Sequence, residues 1–523
     1  DVPLYPTLPA NQIKYILTDS GAVAICVSSA PQLAKILEIR GGLPALKHII
    51  AFDVDATGPG VITLADHYAS GAAAEAAGEG KTFRQDALQV KTDDLATIIY
   101  TSGTTGDPKG VMLSHNNIYS NVVDAIPTLE IGPSDSTLSF LPLSHIFERM
   151  AGHYAAFSTG ATIAYAESID ALVANLGEIH PTIVMSVPRV YEKIYARVLE
   201  NALHSPVKKR IFFWAKAVGE RCAELMLAKQ PIPGLLGAQY AIAKKLVFSK
   251  LVARVGGKLK FFASGGAPLP ADIAKFFFAA GLPIYEGYGL TETSPIISVN
   301  NPRKVALGTV GPVIPNVTVK IAEDGEILVK GPNVMKGYYN KPEATREVLD
   351  ADGWFHTGDI GMVEDGFLKI TDRKKDLIVT AGGKNIAPQP IEALVKKSKF
   401  VSNAVMLGDK RSFCVMLIVA QYEHLEPWAK DHGLLWKDHR ELIKLPQVVE
   451  MMEKEVLSQL TSLAKYEVPK KILLLEQDFT VESGDLTPTL KVKRRVVEKK
   501  YQREIDSIYD DASKRVSEKG SGI

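Results

Sequence analysis

A segment rich in glycine and hydroxyl groups contains the residue types that most directly suggest chemistry. It runs from Tyr100 to Gly110 and reads YTSGTTGDPKG, directly after an apolar, strand-like stretch. The hydroxyl and backbone N–H groups of such a loop can donate to phosphate oxygens, and Lys109 adds a cation. The spacing is not that of the G-x-x-x-x-G-K-[ST] loop, because Gly110 follows the lysine. The segment therefore predicts a phosphate-binding loop of another type.

The elements that must position this loop follow an alternating pattern. Short apolar runs read as buried strands at residues 22–27, 48–52, 96–100, 182–186 and 259–263. Amphipathic stretches lie between them, at residues 117–126, 170–178 and 190–203. This alternation predicts an α/β protein with largely parallel strands. A chain of 523 residues is also too long for a single core, so we expect at least two domains.

The pattern changes at about residue 308, where short strands separated by Asp-Gly and Gly-Pro turns begin. Residues 308–374 therefore predict a β-rich subdomain. A charged cluster at residues 372–376 interrupts the apolar pattern, and we expect the domain boundary there. The prediction is a large N-terminal domain over residues 1–374 and a small α+β C-terminal domain over residues 375–523. The chain begins at Asp1 in a strand-like segment, and we expect further residues to precede it.

Charge and cysteine content exclude several function classes. The net charge of +1 gives no overall attraction to nucleic acid or to a membrane. The three cysteines are far apart, which argues against a disulfide framework or a zinc site and favours a reducing, cytoplasmic compartment. No uncharged apolar run approaches the length of a membrane span.

One segment is strongly basic. Residues 189–260 carry 15 Lys and Arg against 4 Asp and Glu, a net of +11, with interleaved aromatic and aliphatic residues. One interpretation is a set of core-packing helices with a solvated basic face. The other is a surface attracted to anionic lipid, which would place the protein peripherally on the inner face of a membrane.

Seven motifs in order identify a resemblance that covers nearly the whole chain. They lie at residues 100–110, 140–149, 264–269, 285–293, 357–359, 372–376 and 487–491. Together they resemble the adenylate-forming superfamily, which includes acyl-CoA synthetases, luciferases and the adenylation domains of peptide synthetases. Residues 352–361 and 368–375 resemble the signature of fatty acyl-CoA synthetases, and residues 186–193 with the basic insert after them resemble the long-chain branch.

The resemblance implies a multi-sheet N-terminal domain with a mobile C-terminal domain, and a two-step reaction. The carboxylate of a long-chain fatty acid would attack ATP to give acyl-adenylate and pyrophosphate, and CoA would then take the acyl group and release AMP. Fatty acid, ATP and CoA are the implied substrates, with Mg²⁺ as the metal. No covalent enzyme intermediate is required, which agrees with the absence of a G-x-S-x-G elbow.

The resemblance also assigns residues to ATP. The implied ligands of its β- and γ-phosphates are Thr101, Ser102, Gly103, Thr104, Thr105, Gly106 and Lys109. Glu292, next to Thr291 in the fourth motif, would hold Mg²⁺. Tyr288, followed by Gly289, would stack on adenine, and Gly265, Gly266 and Ala267 would let the ring lie close to the backbone. Asp359 would accept both ribose hydroxyls, and Arg373 would donate to ribose or phosphate.

The remaining implied roles concern the acyl group, CoA and domain movement. His145 would lie beside the acyl carboxylate and the path of the thiol. Lys491 would stabilise charge on the α-phosphate, and Lys375 matches the hinge about which the C-terminal domain swings. The implied pantetheine tunnel is lined by Gly382, Gly383 and Lys384.

Alternatives remain at this stage for residues and for function. Tyr288 and His145 could be structural, and Lys491 could belong to a solvated basic patch. An adenylate-forming ligase that loads a carrier-protein thiol or uses an aryl acid would share the motifs. A catalytically silent nucleotide-binding fragment is an alternative of another class.

Overall fold

The computed structural model describes residues 1–101, 107–461, 463–480, 483–487 and 492–510. Its strands are β1 (Ala24–Val27), β2 (His48–Ala51), β3 (Val61–Thr63), β4 (Leu95–Thr101), β5 (Lys109–Ser114), β6 (Ser136–Ser139), β7 (Thr162–Tyr165), β8 (Ile183–Ser186), β9 (Phe261–Ser264), β10 (Ile284–Gly289), β11 (Ile296–Val299), β12 (Thr318–Ile321), β13 (Glu326–Lys330), β14 (Gly337–Tyr338), β15 (Phe355–Glu364), β16 (Phe367–Arg373), β17 (Ile378–Val379), β18 (Asn385–Ile386), β19 (Val401–Leu407), β20 (Val415–Ala420) and β21 (Lys471–Leu475).

The helices connect and cover these strands. They are α1 (Ala10–Ser20), α2 (Ala30–Ile39), α3 (Leu64–Ala76), α4 (Phe83–Ala87), α5 (His115–Leu129), α6 (Ala155–Thr159), α7 (Leu172–Ile179), α8 (Pro188–Leu203), α9 (Pro206–Leu227), α10 (Gly234–Ala243), α11 (Ser249–Arg254), α12 (Ala271–Ala279), α13 (Pro342–Arg346), α14 (Pro388–Val395), α15 (Tyr422–Asp431), α16 (His439–Leu442), α17 (Pro446–Ser458) and α18 (Arg494–Lys500). Two π-helical turns, Glu148–Tyr154 and Lys244–Phe248, precede α6 and α11.

The central sheet has the strand order β11-β10-β9-β8-β6-β7. Strands β6 to β10 run parallel and only β11 is antiparallel. Helices α8, α9 and α12 pack on one face of this sheet, where Tyr191, Phe262 and Phe276 form part of an aromatic core. The predicted α/β class is thereby confirmed, with helices burying the apolar faces of parallel strands.

The strand before the glycine-rich loop is present, and its pairing is an exception to the largely parallel arrangement that the sequence predicts. β4 lies in a separate sheet of order β14-β5-β4, and both pairings in it are antiparallel. The reason is local, since β5 begins only eight residues after Thr101 and a short connection returns the chain as a hairpin. The glycine-rich segment is thus the connection of a hairpin.

The β-rich segment forms the antiparallel sheet β12-β13-β15-β16, as the turn residues predict. After β16 ends at Arg373, a turn follows in which Asp376 and Leu377 donate backbone N–H groups to the Arg373 carbonyl.

Further along the chain, β19, β20 and β21 form another sheet, covered by helices α14, α15 and α17. No helix in the described ranges is long and apolar enough to cross a membrane.

The basic segment forms helices α8 to α11, which carry both buried and exposed apolar side chains. Phe212 and Phe248 are buried in the aromatic core, as core-packing helices require. Phe213 and Leu246 remain more than two-fifths exposed beside the lysines. The segment is therefore built into the fold and still presents apolar side chains on a basic surface.

Candidate functional site

Parallel strands bring two of the motifs to one edge of the central sheet. The loop of residues 264–269 follows β9, and the turn Thr291–Thr293 follows its neighbour β10. The buried carboxylate of Glu286 on β10 accepts the backbone N–H of Leu269 at 3.1 Å, which ties the loop to the strand. Since both segments leave the carboxyl ends of adjacent strands, they lie where α/β sheets usually bind ligands.

Two glycines of these motifs are required by the backbone itself. Gly266 has φ +83°, a left-handed conformation that residues with a Cβ adopt rarely. At Gly289, a Cβ would lie 1.7 Å from the carbonyl oxygen of Pro295. Gly265 is buried against the ring of Phe147, and Ala267 is exposed at the tip of the same loop.

Asp359, Arg373 and Tyr288 form one hydrogen-bonded group. Asp359 and Arg373 face each other across β15 and β16, and the Arg373 Nε donates to Asp359 Oδ1 at 2.9 Å. The Tyr288 hydroxyl donates to Asp359 Oδ2 at 2.7 Å. Asp359 is 3% exposed, and its negative charge raises the pKa of Arg373. Three residues separated by up to 85 positions in the chain are therefore held within direct contact.

Glu292 lies in a second group, built around Tyr338. The Tyr338 hydroxyl donates to Glu292 Oε1 at 2.9 Å, and the Lys109 Nζ lies 4.8 Å from the centre of the same ring. Strand β14 places Tyr338 there, because it pairs antiparallel with β5, the strand that begins at Lys109. Sequence analysis missed Tyr338, and the only available signal was its position in the aromatic stretch GYY at residues 337–339.

The two groups influence each other electrostatically. Burial raises the pKa of Glu292, the hydrogen bond from Tyr338 lowers it, and the charges of Arg373 and Asp359 act on it in opposite directions. Burial likewise raises the pKa values of Tyr288 and Tyr338, so both phenols stay protonated and donate at neutral pH. The arrangement provides a carboxylate held by a neutral donor, with two cations nearby, which is suited to a phosphorylated ligand with a metal ion.

His145 lies in the turn that precedes the π-helical turn Glu148–Tyr154. Its Nδ1 accepts the backbone N–H of Phe147 at 3.1 Å, and its ring is half-buried. The same turn carries Glu148, which is 1% exposed and whose pKa burial raises to about 8. Glu148 is a buried titratable group that sequence analysis did not single out as a site residue.

The hinge and tunnel residues lie after β16. Lys375 is exposed in the turn, and the neighbouring Lys374 pairs with Asp324 at 2.6 Å and with Glu326 at 2.9 Å. Gly382, Gly383 and Lys384 form the connection between β17 and β18. The Lys384 Nζ lies 5.7 Å from the centre of the Tyr466 ring.

Several predicted residues fall outside the described ranges. These are Ser102, Gly103, Thr104, Thr105, Gly106 and Lys491. The flanking residues are described, and Thr101 Oγ1 donates to the carbonyl of Lys109 at 3.4 Å across the base of the hairpin. Thr291 is half-buried, in the turn beside Glu292.

Two segments of the chain match families of known proteins. Residues 1–339 match the family described as AMP-binding enzyme, and residues 375–513 match the AMP-binding enzyme C-terminal domain. The chain is 39% identical over 519 residues to long-chain-fatty-acid–CoA ligase FadD15 of Mycobacterium bovis, covering 97% of this chain and 84% of that protein. It is 34% identical over 539 residues to the peroxisomal long chain acyl-CoA synthetase 7 of Arabidopsis thaliana, covering 97% and 74% of the two chains.

Among solved structures, the adenylation domain of a carboxylate reductase from Mycobacterium chelonae has a similar fold. The TM-score is 0.71 at 22% sequence identity, and the match covers 97% of this chain and 76% of the other.

Proposed function

The chain belongs to the AMP-binding enzymes, in the branch of long-chain acyl-CoA synthetases, and from this membership we propose its reaction and the roles of its residues. It activates a long-chain fatty acid with ATP and transfers the acyl group to CoA. The observation that carries this proposal is the 39% identity, over 97% of the chain, to a protein named as a long-chain fatty-acid–CoA ligase.

The reaction has two displacements. A carboxylate oxygen of the fatty acid attacks the α-phosphorus of ATP, the bond to the bridging oxygen breaks, and pyrophosphate leaves with the electron pair. The CoA sulfur then attacks the acyl carbon of the adenylate, AMP leaves, and the thiol proton passes to solvent. Neither step needs a protein nucleophile, so the residues of the site act by positioning and by stabilising charge.

The group of Asp359, Arg373 and Tyr288 is suited to the nucleoside of ATP. Asp359 presents two acceptor oxygens, as a ribose diol requires, and Arg373 holds its carboxylate in place at 2.9 Å. The hydrogen bond from the Tyr288 hydroxyl to Asp359 holds the Tyr288 ring next to that carboxylate, where the ring can stack on adenine. The loop of Gly265, Gly266 and Ala267 carries almost no side chains, so it would let the adenine ring lie close to the backbone.

Glu292 is suited to Mg²⁺. No group of three or more metal-binding side chains occurs among the described residues, so the protein would supply few ligands. That fits Mg²⁺, which is usually held by one or two carboxylates together with substrate phosphates and water. Burial raises the pKa of Glu292, and a bound cation would favour its charged form. When bound, Mg²⁺ would neutralise charge on the phosphates, while Tyr338 orients the carboxylate and Thr291 lines the turn beside it.

The connection between β4 and β5 would bind the phosphates of ATP. Thr101 and Lys109 form its described base, and the hydroxyls and glycines between them would surround the β- and γ-phosphates. Lys491 would stabilise the charge on the α-phosphate during adenylation. His145, with its ring oriented through Nδ1, would lie next to the acyl carboxylate.

The second step requires a different face of the C-terminal domain. We propose that residues 375–523 move about Lys375, whose exposed turn follows the last strand of the β-rich sheet. In the second arrangement Gly382, Gly383 and Lys384 would line the path of the pantetheine arm. The lysine would contribute a donor and the glycines would leave the path open.

A pyrophosphate-release assay tests the reaction. The purified chain with ATP, Mg²⁺, CoA and saturated fatty acids of graded length should release pyrophosphate only when a fatty acid is present. Asp359→Asn serves as the inactive control. A parallel reaction with holo acyl carrier protein in place of CoA tests the carrier-protein alternative. Release with aryl acids alone, or acyl transfer to the carrier protein alone, would overturn the proposal.

We also propose that helices α8 to α11 bind anionic membranes peripherally. Six large apolar side chains are at least two-fifths exposed on this basic segment: Leu203, Val207, Phe213, Leu235, Ile242 and Leu246. Exposed apolar residues among lysines are typical of surfaces that lie in a lipid interface. Co-sedimentation with phosphatidylglycerol vesicles should decrease at high salt and in Leu235→Asp, but not in the control Leu435→Asp. Equal binding to neutral and anionic vesicles would contradict this role.

A further inference from the structure

A cavity of about 650 Å³ lies at the opposite end of β10 from Tyr288. Its walls include Pro283 and Tyr285 at the start of that strand, and Phe278 at the end of α12. Tyr285 is the lining residue of this strand nearest to Tyr288, and the three residues of strand from one to the other span about 10 Å. The cavity is therefore separate from the proposed ATP site, although the same strand lines both.

Another part of the cavity wall is also distant from the proposed ATP site. The turn between β15 and β16 contributes Asp365 and Phe367 to the cavity, whereas Asp359 and Arg373 lie at the other end of that hairpin. Six residues from Asp359 to Asp365 span about 20 Å along a strand. Two elements that carry proposed ATP-site residues thus extend to this cavity.

The cavity combines apolar walls with a basic rim. Met226, Leu227, Phe278 and Val305 provide apolar surface. The charged lining residues are Lys229, Lys244, Arg303 and Lys304 against Asp365, a net of four minus one, or +3. Such a lining fits a ligand with an apolar part and an anionic part.

The three lysines are the cations available for such a ligand. Arg303 already pairs with Glu130 at 3.6 Å, but within the described ranges none of Lys229, Lys244 and Lys304 forms an ion pair. An uncompensated cluster of like charges is unfavourable, and an anion at the rim would relieve the repulsion.

The structure holds the side chain of one of these lysines and the backbone of another. The Lys244 Nζ lies 4.8 Å from the centre of the Tyr240 ring, and the buried Tyr240 hydroxyl donates to the carbonyl of Ala279 at 2.8 Å. At Lys304, the backbone N–H donates to Asn301 Oδ1 at 3.1 Å, which fixes the turn that carries it. The Lys244 cation and the backbone that carries Lys304 are thus arranged before any ligand arrives, which lowers the entropic cost of binding.

We propose that this cavity is a second binding site for a single-chain amphiphile with a phosphorylated head. The chain would lie on the apolar wall and the phosphate would contact the lysines at the rim. A phosphate suits the rim better than a carboxylate, because it carries more charge and three acceptor oxygens. A recessed cavity also suits one molecule rather than the surface of a bilayer. Long-chain acyl-CoA is a member of this class, an identification that rests on the proposed function.

Calorimetry with dodecyl phosphate below its micellar concentration tests the site. The acyl-adenylate site is first filled with a non-hydrolysable acyl sulfamoyl adenosine, so that only other sites respond. We expect binding of one dodecyl phosphate per chain, and no binding of inorganic phosphate or of an uncharged dodecyl glycoside. Raising the salt to 0.5 M should weaken binding, since exposed charges are screened.

Matched variants locate the binding. Lys244→Glu with Lys304→Glu should weaken dodecyl phosphate binding at least tenfold, and Met226→Trp should weaken it by filling the cavity. The control pair, Lys245→Glu with Lys250→Glu, changes the same charge at exposed lysines that do not line the cavity and should stay within twofold of the wild type.

Equal loss in both charge pairs, or binding only to phosphatidic acid vesicles, would overturn the proposal. Pyrophosphate release is measured on the same proteins and should be unchanged in the basal assay. A chain that binds dodecyl phosphate but releases no pyrophosphate would refute the proposed reaction and leave the second site standing. Normal pyrophosphate release without dodecyl phosphate binding would refute the second site and leave the proposed reaction standing.

Discussion

Tyr338→Phe is the substitution that separates the two roles of the Tyr338 side chain. It removes the hydroxyl that donates to Glu292 at 2.9 Å and keeps the ring that lies 4.8 Å from the Lys109 Nζ. A hydrogen bond to a charged group contributes about 1.5–3 kcal/mol. Since Glu292 is half-buried, we take the lower end, which corresponds to about a tenfold change. We therefore expect the Mg²⁺ concentration for half-maximal pyrophosphate release to rise about tenfold.

The same substitution should change the pH dependence. Burial raises the pKa of Glu292, and the hydroxyl of Tyr338 opposes that rise. Without the hydroxyl the pKa rises further, so a larger fraction of Glu292 is protonated at any given acidic pH and cannot bind a cation. The acid limb of the pyrophosphate-release profile should move to higher pH, and excess Mg²⁺ should move it back, because cation binding favours the ionised form.

Two further variants complete the test. Tyr338→Leu also removes the ring beside Lys109 and should raise the KM for ATP in addition. Tyr339→Phe is the matched control, because its side chain packs with the cluster that contains Tyr100 and not with Glu292. An unchanged Mg²⁺ requirement in Tyr338→Phe, or the same increase in Tyr339→Phe, would refute the positioning role of Tyr338.

Three other predictions follow from the remaining groups. Lys491→Ala should reduce adenylation far more than the transfer of a supplied acyl-adenylate to CoA, measured as separate half-reactions, and an equal loss in both would contradict its role at the α-phosphate. Lys375→Pro should retain single-turnover pyrophosphate release and lose acyl-CoA formation, whereas Lys375→Ala should affect both mildly; normal acyl-CoA formation in the proline variant would remove the hinge from this position. Burial raises the pKa of Glu148 from 4.5 to about 8, so the free-energy cost of holding its charged form in the folded state should grow as pH rises from about 4.5 to 8 and reach about 5 kcal/mol. Glu148→Gln should therefore lose less thermal stability than the wild type across this range, and parallel melting curves for the two proteins would contradict this expectation.

The local sequence predicts where strands lie, but it does not predict how each strand pairs with its neighbours. The apolar run at residues 96–100 predicts a strand, and β4 confirms it. Its antiparallel pairing with β5 is an exception to the largely parallel arrangement that the sequence predicts, because pairing direction depends on how the connection closes rather than on the strand residues themselves. The alternation of strands and helices correctly predicted the parallel pairings of β1 with β2 and of β8 with β9, since crossover helices impose them.

The same limit applies to the site. Asp359 and Arg373 were identified from motifs, and their register across one hairpin explains why they meet. Tyr338 was missed because β14 has only two residues and its partner strand lies more than 220 positions earlier in the chain. No local periodicity can indicate such a contact. The basic segment shows a third limit, since composition alone could not tell the buried Phe212 from the exposed Phe213.

The most direct measurement of the central claim follows oxygen atoms through the reaction. A long-chain fatty acid labelled with ¹⁸O in both carboxylate positions is converted with ATP, Mg²⁺ and CoA, and the products are analysed by mass spectrometry. If the carboxylate attacks the α-phosphorus, one ¹⁸O appears in AMP and the other remains in the thioester carbonyl of the acyl-CoA. Label in pyrophosphate or orthophosphate, or AMP without label, would contradict an acyl-adenylate intermediate and with it the role of this site.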